Sequence, residues 1–252
     1  ITQSELRALL DRKIKLALVL TEDLELIDNQ LHYNGRTWHK DRNKKSDPHT
    51  NTQRLFGLLR ILPFCDYLIV LGDIFNIEKL QKIFPSTNIM SLPYPAIHHK
   101  SMASINTQFD FALSTPGGTL DSKYRAAIFR KILESGFTIQ SVFEKDLNDY
   151  GRKIQNARIN LHITKNIDWK YTSPLRTFVS VYYGVQPAIF LEPQRKIRFS
   201  EIDKIQLKFN FQTIDYSLSE AAQGNFLVDK YNKLISTKAN QILHSIFKNS
   251  LS

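Results

Sequence analysis

Cysteine is nearly missing: Cys65 stands alone in 252 residues. One thiol excludes an internal disulfide and any metal site built from cysteines. Lying beside an apolar run, it reads as a buried structural thiol and not as a nucleophile. Long hydrophobic runs are missing too. No stretch approaches the ~20 apolar residues that span a bilayer, and no secretory signal stands at the start, although the chain begins at Ile1. Acidic residues are the scarcer charge. Lys and Arg number 34 against 24 Asp and Glu, a net charge of +10. That excess favours an anionic partner such as a nucleic acid, a nucleotide or an acidic surface. It is equally met in enzymes that are basic for no specific reason.

What is present is an alternation of short apolar strands and helical segments. Ser4 to Arg12 has a helical pattern, and Ile14 to Leu20 reads as a strand of the kind buried on both faces of a parallel sheet. It ends in Thr21-Glu22-Asp23, where ligands of open α/β sheets bind; the plainer reading is a polar strand end. Residues 29–53 are polar and turn-rich, with Arg36, Lys40, Arg42, Lys44 and Lys45 available to phosphates. A helix from Leu55 to Leu62, a strand over Tyr67–Leu71, a helix from Ile77 to Phe84 and a strand over Asn88–Leu92 come next. Residues 96–107 lack a period and read as an interdomain linker.

A second array starts at Phe109. Its strand runs into Ser114-Thr-Pro-Gly-Gly-Thr119, then a helix through Ile132, Gly136 and a strand over Phe137–Phe143. A strand, a Gly-rich turn, a helix and a strand make a βαβ unit whose turn suits a phosphate. Arg158–Ile163 is the next strand, Ser173 opens a helix that ends at Gly184, and Pro187–Leu191 is another strand. A short strand within 207–216, a small helix from Ser219 and a long amphipathic helix from Phe226 to Phe247 complete the pattern.

This layout resembles a glycosyltransferase of the GT-B type. The fold implied is α/β, with two Rossmann-like domains (1–104 and 105–252) facing a cleft and a C-terminal helix. Over Phe109–Glu192 it is most similar to the phage glucosyltransferases that act on hydroxymethylcytosine in DNA. The turn in Leu113-Ser-Thr-Pro-Gly-Gly-Thr-Leu-Asp-Ser-Lys-Tyr-Arg125 matches the family's diphosphate-binding turn, so the resemblance assigns Gly117, Gly118, Thr119 and Arg125 to phosphate. Ser173-Pro-Leu-Arg176 looks like the family's second arginine motif, which gives Arg176 a diphosphate contact. The family's ribose-binding glutamate one turn later is replaced here by Ser180, leaving Ser180 or Glu192 for that role. Glu22 or Asp23 matches the catalytic base. The family's upstream strands have no counterpart, so the first domain is expected to be short or the chain to be a piece of a longer one.

The resemblance implies a nucleoside-diphosphate sugar as donor, UDP-sugar first, with no cofactor required. The absence of any Asp-x-Asp motif removes the usual cation-holding pair of the other common transferase fold, so arginines and helix N-termini are expected to neutralise the diphosphate. The acceptor is a hydroxyl, with a hydroxymethylated base in double-stranded DNA first and a cell-surface glycan or protein close behind. The expected location is cytoplasmic, bacterial or host. Two other classes stand beside this reading: a non-catalytic transferase-like scaffold for nucleic acid or a partner subunit, and a sugar epimerase.

Overall fold

The computed structural model describes residues 3–12, 15–20, 24–27, 30–33, 57–71, 77–92, 94–98, 107–114, 123–142, 146–164, 172–197, 199 and 202–235. Two compact units divide the chain, Ile1–Leu92 and Pro93–Ser252. The elements of the first are helix α1 (Gln3–Asp11), strands β1 (Ala17–Leu20), β2 (Leu24–Ile27) and β3 (Gln30–Tyr33), a helix α2 described over residues 57–61, strand β4 (Tyr67–Leu71), helix α3 (Ile77–Ile83) and strand β5 (Asn88–Leu92). Parallel strands β1, β4 and β5 form a three-stranded sheet in that order. Leu20, Leu58, Leu62, Leu68, Val70, Leu80 and Ile89 make its core.

Two expectations change here. Strand β1 lies at the sheet edge, and Val19 is 50% exposed, so this strand is not buried on both faces. Residues 30–33, expected in a turn-rich segment, pair antiparallel with β2 as a hairpin. Cys65 is buried, as its apolar neighbourhood predicts, and burial raises its pKa.

The second unit contains strand β6 (Phe109–Ser114), helix α4 (Lys123–Glu134), strand β7 (Ile139–Val142), helix α5 (Leu147–Gln155) and strand β8 (Ala157–His162). Helix α6 (Pro174–Tyr182), strands β9 (Gln186–Phe190) and β10 (Leu207–Phe209), and helices α7 (Ile214–Ser219) and α8 (Asn225–Ile235) complete it. All five strands are parallel, in the order β10-β9-β8-β6-β7. On one face, Ile128 and Ile132 of α4 and Ile214 and Leu218 of α7 pack on Phe111, Leu113, Ile159, Leu161 and Phe190. On the other, Ile154 of α5 and Val179 of α6 pack with Ala112 and Val142.

This division of helices fixes where a ligand can sit. Strand β6 leads into α4 on one face, while its hydrogen-bonded neighbour β8 leads into α6 on the other. The carboxyl ends of β6 and β8, Ser114 and His162, therefore flank the point where the chain diverges. Open α/β sheets bind their ligands in that crevice.

Three local features depart from the sequence pattern. Helix α5 falls in a segment to which the sequence pattern assigns no element; the Asp146 carboxylate accepts from the Asn148 and Asp149 amides and starts it. The small helix expected from Ser219 ends there instead, beginning at Ile214. In α8, Leu227, Val228, Tyr231 and Ile235 are buried, while Leu234, which its spacing places on the same apolar side, is 38% exposed. Residues 236–247 of the expected long helix lie outside the described residues.

Residues 94–98, read from sequence as the end of the first domain and the start of a linker, pack within the second unit. Tyr94 stacks on Phe178 with ring centroids 5.1 Å apart. Asn232 of α8 brackets Ile97, accepting from its amide at 3.0 Å and donating to its carbonyl at 2.9 Å. The Tyr231 hydroxyl donates to the Pro95 carbonyl. Burying Tyr94 and Ile97 contributes roughly 1.5–3 kcal/mol each, which explains why this stretch docks rather than links.

Candidate anion-binding site

Strand β8 reads Ala-Arg-Ile-Asn-Leu-His, and alternation sends Asn160 and His162 to the face opposite Ile159 and Leu161. On that face lies α6. The Asn160 side-chain amide donates to the Ser180 hydroxyl at 2.7 Å, and that hydroxyl donates to the Arg176 carbonyl one turn back, also at 2.7 Å. Two residues along the strand and four along the helix, the same register sets His162 beside Arg176. His162 is 8% exposed, and its Nδ1 has no hydrogen-bond partner.

Arginines from three separate elements act electrostatically on this imidazole. Arg125, in the first turn of α4, is 5% exposed and donates through Nε to the Ile163 carbonyl at 3.0 Å. Arg176 comes from the first turn of α6. Arg195 comes from the turn after β9, closed by its own amide donating to the Glu192 carbonyl at 2.9 Å. It donates to the Tyr124 hydroxyl at 3.1 Å and lies 5.5 Å from that ring's centroid. Burial pushes the His162 pKa well below its ordinary value, and the charges of Arg176, Arg125 and Arg195 push it further the same way. The imidazole is thus neutral inside a concentration of positive charge. The Tyr124 pKa is raised, by burial first and by Glu192, against a lowering from Arg195.

The start of α6 is held from below. Asp203 is fully buried in the 3₁₀ segment after β9, and it accepts from the Thr172 and Thr177 hydroxyls and from Gln206 Nε2 at 2.6 Å. Thr172 and Thr177 flank the first turn of α6, so this carboxylate fixes the turn that carries Arg176. A buried charge with several donors is retained where it holds geometry.

Of the residues expected from sequence, Arg125 and Arg176 are brought together. Glu192 stands in the turn that carries Arg195, half-buried. Ser180 is 1% exposed and its hydroxyl is engaged by Asn160 and the Arg176 carbonyl, so it positions α6. Gly117, Gly118, Thr119, Glu22, Asp23, Arg36, Lys40, Arg42, Lys44 and Lys45 lie outside the described residues. The sequence pattern does not single out His162, Asn160, Arg195 or Asp203 as site residues. For the first two a signal is present: polar residues two apart that alternate with the apolar Ile159, Leu161 and Ile163. Among the described residues no group of three or more His, Cys, Asp or Glu could hold a metal ion.

No protein-family model matches this chain, and no curated protein matches it either. Among solved structures, one titled "Crystal Structure Analysis of the Glycotransferase of kitacinnamycin" is similar with a TM-score of 0.40 and 8% identity. The match covers 94% of this chain and 69% of that one. A likeness this slight carries no functional weight; the side chains at the end of β8 carry it instead. No described helix is long and apolar enough to cross a membrane.

Proposed function

We propose that the arginine cluster binds the diphosphate of a nucleoside-diphosphate sugar and that the chain is a glycosyltransferase with a hydroxyl acceptor. One observation carries this reading. Arg125, Arg176 and Arg195 converge from three elements on the carboxyl end of β8, where the chain diverges between β6 and β8. Three guanidiniums suit a diphosphate because each offers paired donors to its oxygens. The same charges stabilise the diphosphate as it leaves, when the glycosidic bond breaks and negative charge gathers on its oxygen. In this reading Gly117, Gly118 and Thr119 complete the phosphate cradle. Glu22 or Asp23 takes the acceptor proton. UDP-sugar is the first donor, and hydroxymethylated DNA, gripped by Arg36, Lys40, Arg42, Lys44 and Lys45, is the first acceptor.

One observation favours a second reading, a non-catalytic scaffold that binds nucleotide or nucleic acid. The position one turn after Arg176 holds Ser180, whose hydroxyl is already engaged. In this second reading Ser180 holds α6 against β8 rather than a ribose. Hydrolysis of UDP-glucose without acceptor separates the two. Slow release of UDP that disappears in Arg176→Ala supports the transferase. Binding of UDP with neither hydrolysis nor transfer to hydroxymethylated DNA or glycan supports the scaffold.

A further inference from the structure

The His162 imidazole stands at the end of a central parallel strand with its Nδ1 buried and unpartnered, and the next residue's carbonyl takes the Nε of the buried Arg125. A buried ring nitrogen left unpaired destabilises the free protein, and such a cost is met where a ligand later supplies the partner. We propose that His162 is a further ligand of the phosphate bound by Arg125, Arg176 and Arg195, and that it binds as imidazolium, taking a proton from solvent as the anion enters. This rests on the anion-site reading above and adds to it a residue and a proton.

The described groups around His162 are few, and their balance sets the direction. Arg125 belongs to α4, Arg176 to α6 and Arg195 to the turn after β9, with Tyr124 and Glu192 beside Arg195. In the free site three positive charges oppose protonation of the ring. A phosphate anion among them offsets those charges and offers Nδ1 an oxygen acceptor, so both changes favour the protonated ring. Linkage then makes binding proton-coupled. Between the free and bound pKa values of His162, affinity falls by up to about tenfold for each unit rise in pH.

The test uses inorganic pyrophosphate and the full chain. Titration calorimetry at neutral pH in two buffers of different ionisation enthalpy gives the protons taken up on binding. Wild type is expected to take up more protons than His162→Asn, by up to one, and the difference cancels pyrophosphate's own titration. Histidine ring NMR on wild type gives the same answer without a variant: one imidazole is expected to pass from neutral to protonated as pyrophosphate is added. If pyrophosphate binds, and binding is lost in Arg176→Ala, yet no ring becomes protonated and proton uptake equals that of His162→Asn, the His162 proposal is wrong and the site stands. If pyrophosphate does not bind wild type at all, the anion site itself is wrong.

Discussion

The Asn160 amide and the Ser180 hydroxyl lie 2.7 Å apart in the buried layer between β8 and α6. That bond registers the strand against the helix and sets His162 on the face of β8 that α6 and its Arg176 cover. Removing the amide in Asn160→Leu leaves the Ser180 hydroxyl without its donor and crowds α6. A loss of about 1–3 kcal/mol is expected in urea denaturation. Diphosphate affinity should fall with it, since Arg176 is displaced.

Asp203→Ala should cost more. It strips acceptors from Thr172, Thr177 and Gln206 together, inside a fully buried layer. Hydrogen bonds to charged groups contribute about 1.5–3 kcal/mol each, and unpaired donors add their own penalty. A drop of roughly 2–5 kcal/mol is expected from the urea midpoints, within the range for breaking a buried network. An unchanged midpoint would mean that the carboxylate does not anchor α6.

Stability of the free protein should fall as pH is lowered through the histidine range. The folded state holds the His162 pKa below its ordinary value of 6.5, so unfolding takes up a proton at lower pH. Its contribution is complete above the unfolded pKa and is lost as pH falls below it, at about 1.4 kcal/mol per pH unit for one proton. Comparing urea midpoints of wild type and His162→Asn at about pH 7.5 and 5.5, either side of that value, isolates it. The variant should lose less between the two.

Gly151→Ala sets two effects against each other. Alanine gains about 1 kcal/mol of helix propensity in α5. The added Cβ would sit 2.2 Å from Tyr183 Cε1, and that ring is itself packed edge-on against Tyr150 and Tyr182. Overpacking of this kind costs about 1–3 kcal/mol, so a net loss in melting temperature is expected.

Strands β4, β6 and β9 are legible in the sequence because interior strands of parallel sheets are mostly apolar; β5, at a sheet edge, and β8, with three polar residues, are legible from the apolar residues that remain. The β2–β3 hairpin and α5 are not, because each hairpin strand is only four residues long and α5 is mostly polar with one capping aspartate as its signal. Arg125 and Arg176 are legible only through the motifs that surround them. By itself Arg125 reads as a surface charge, and it is buried instead because its Nε meets the Ile163 carbonyl. His162 and Arg195 escape a linear reading because their meaning comes from strand order and turn closure, which bring distant stretches of chain together.

A diphosphate site made by three arginines at the end of β8 is tested most directly by the thermal shift of the purified chain with UDP, GDP, ADP and TDP, without added metal. A ligand that binds the native state raises the melting temperature by mass action. One of the four should raise it, and Arg176→Ala, losing a charge-assisted contact of about 1.5–3 kcal/mol, should weaken that nucleotide by roughly 10- to 150-fold. No shift with any of them, or an equal shift in Arg176→Ala, would mean that the arginines do not hold a nucleoside diphosphate.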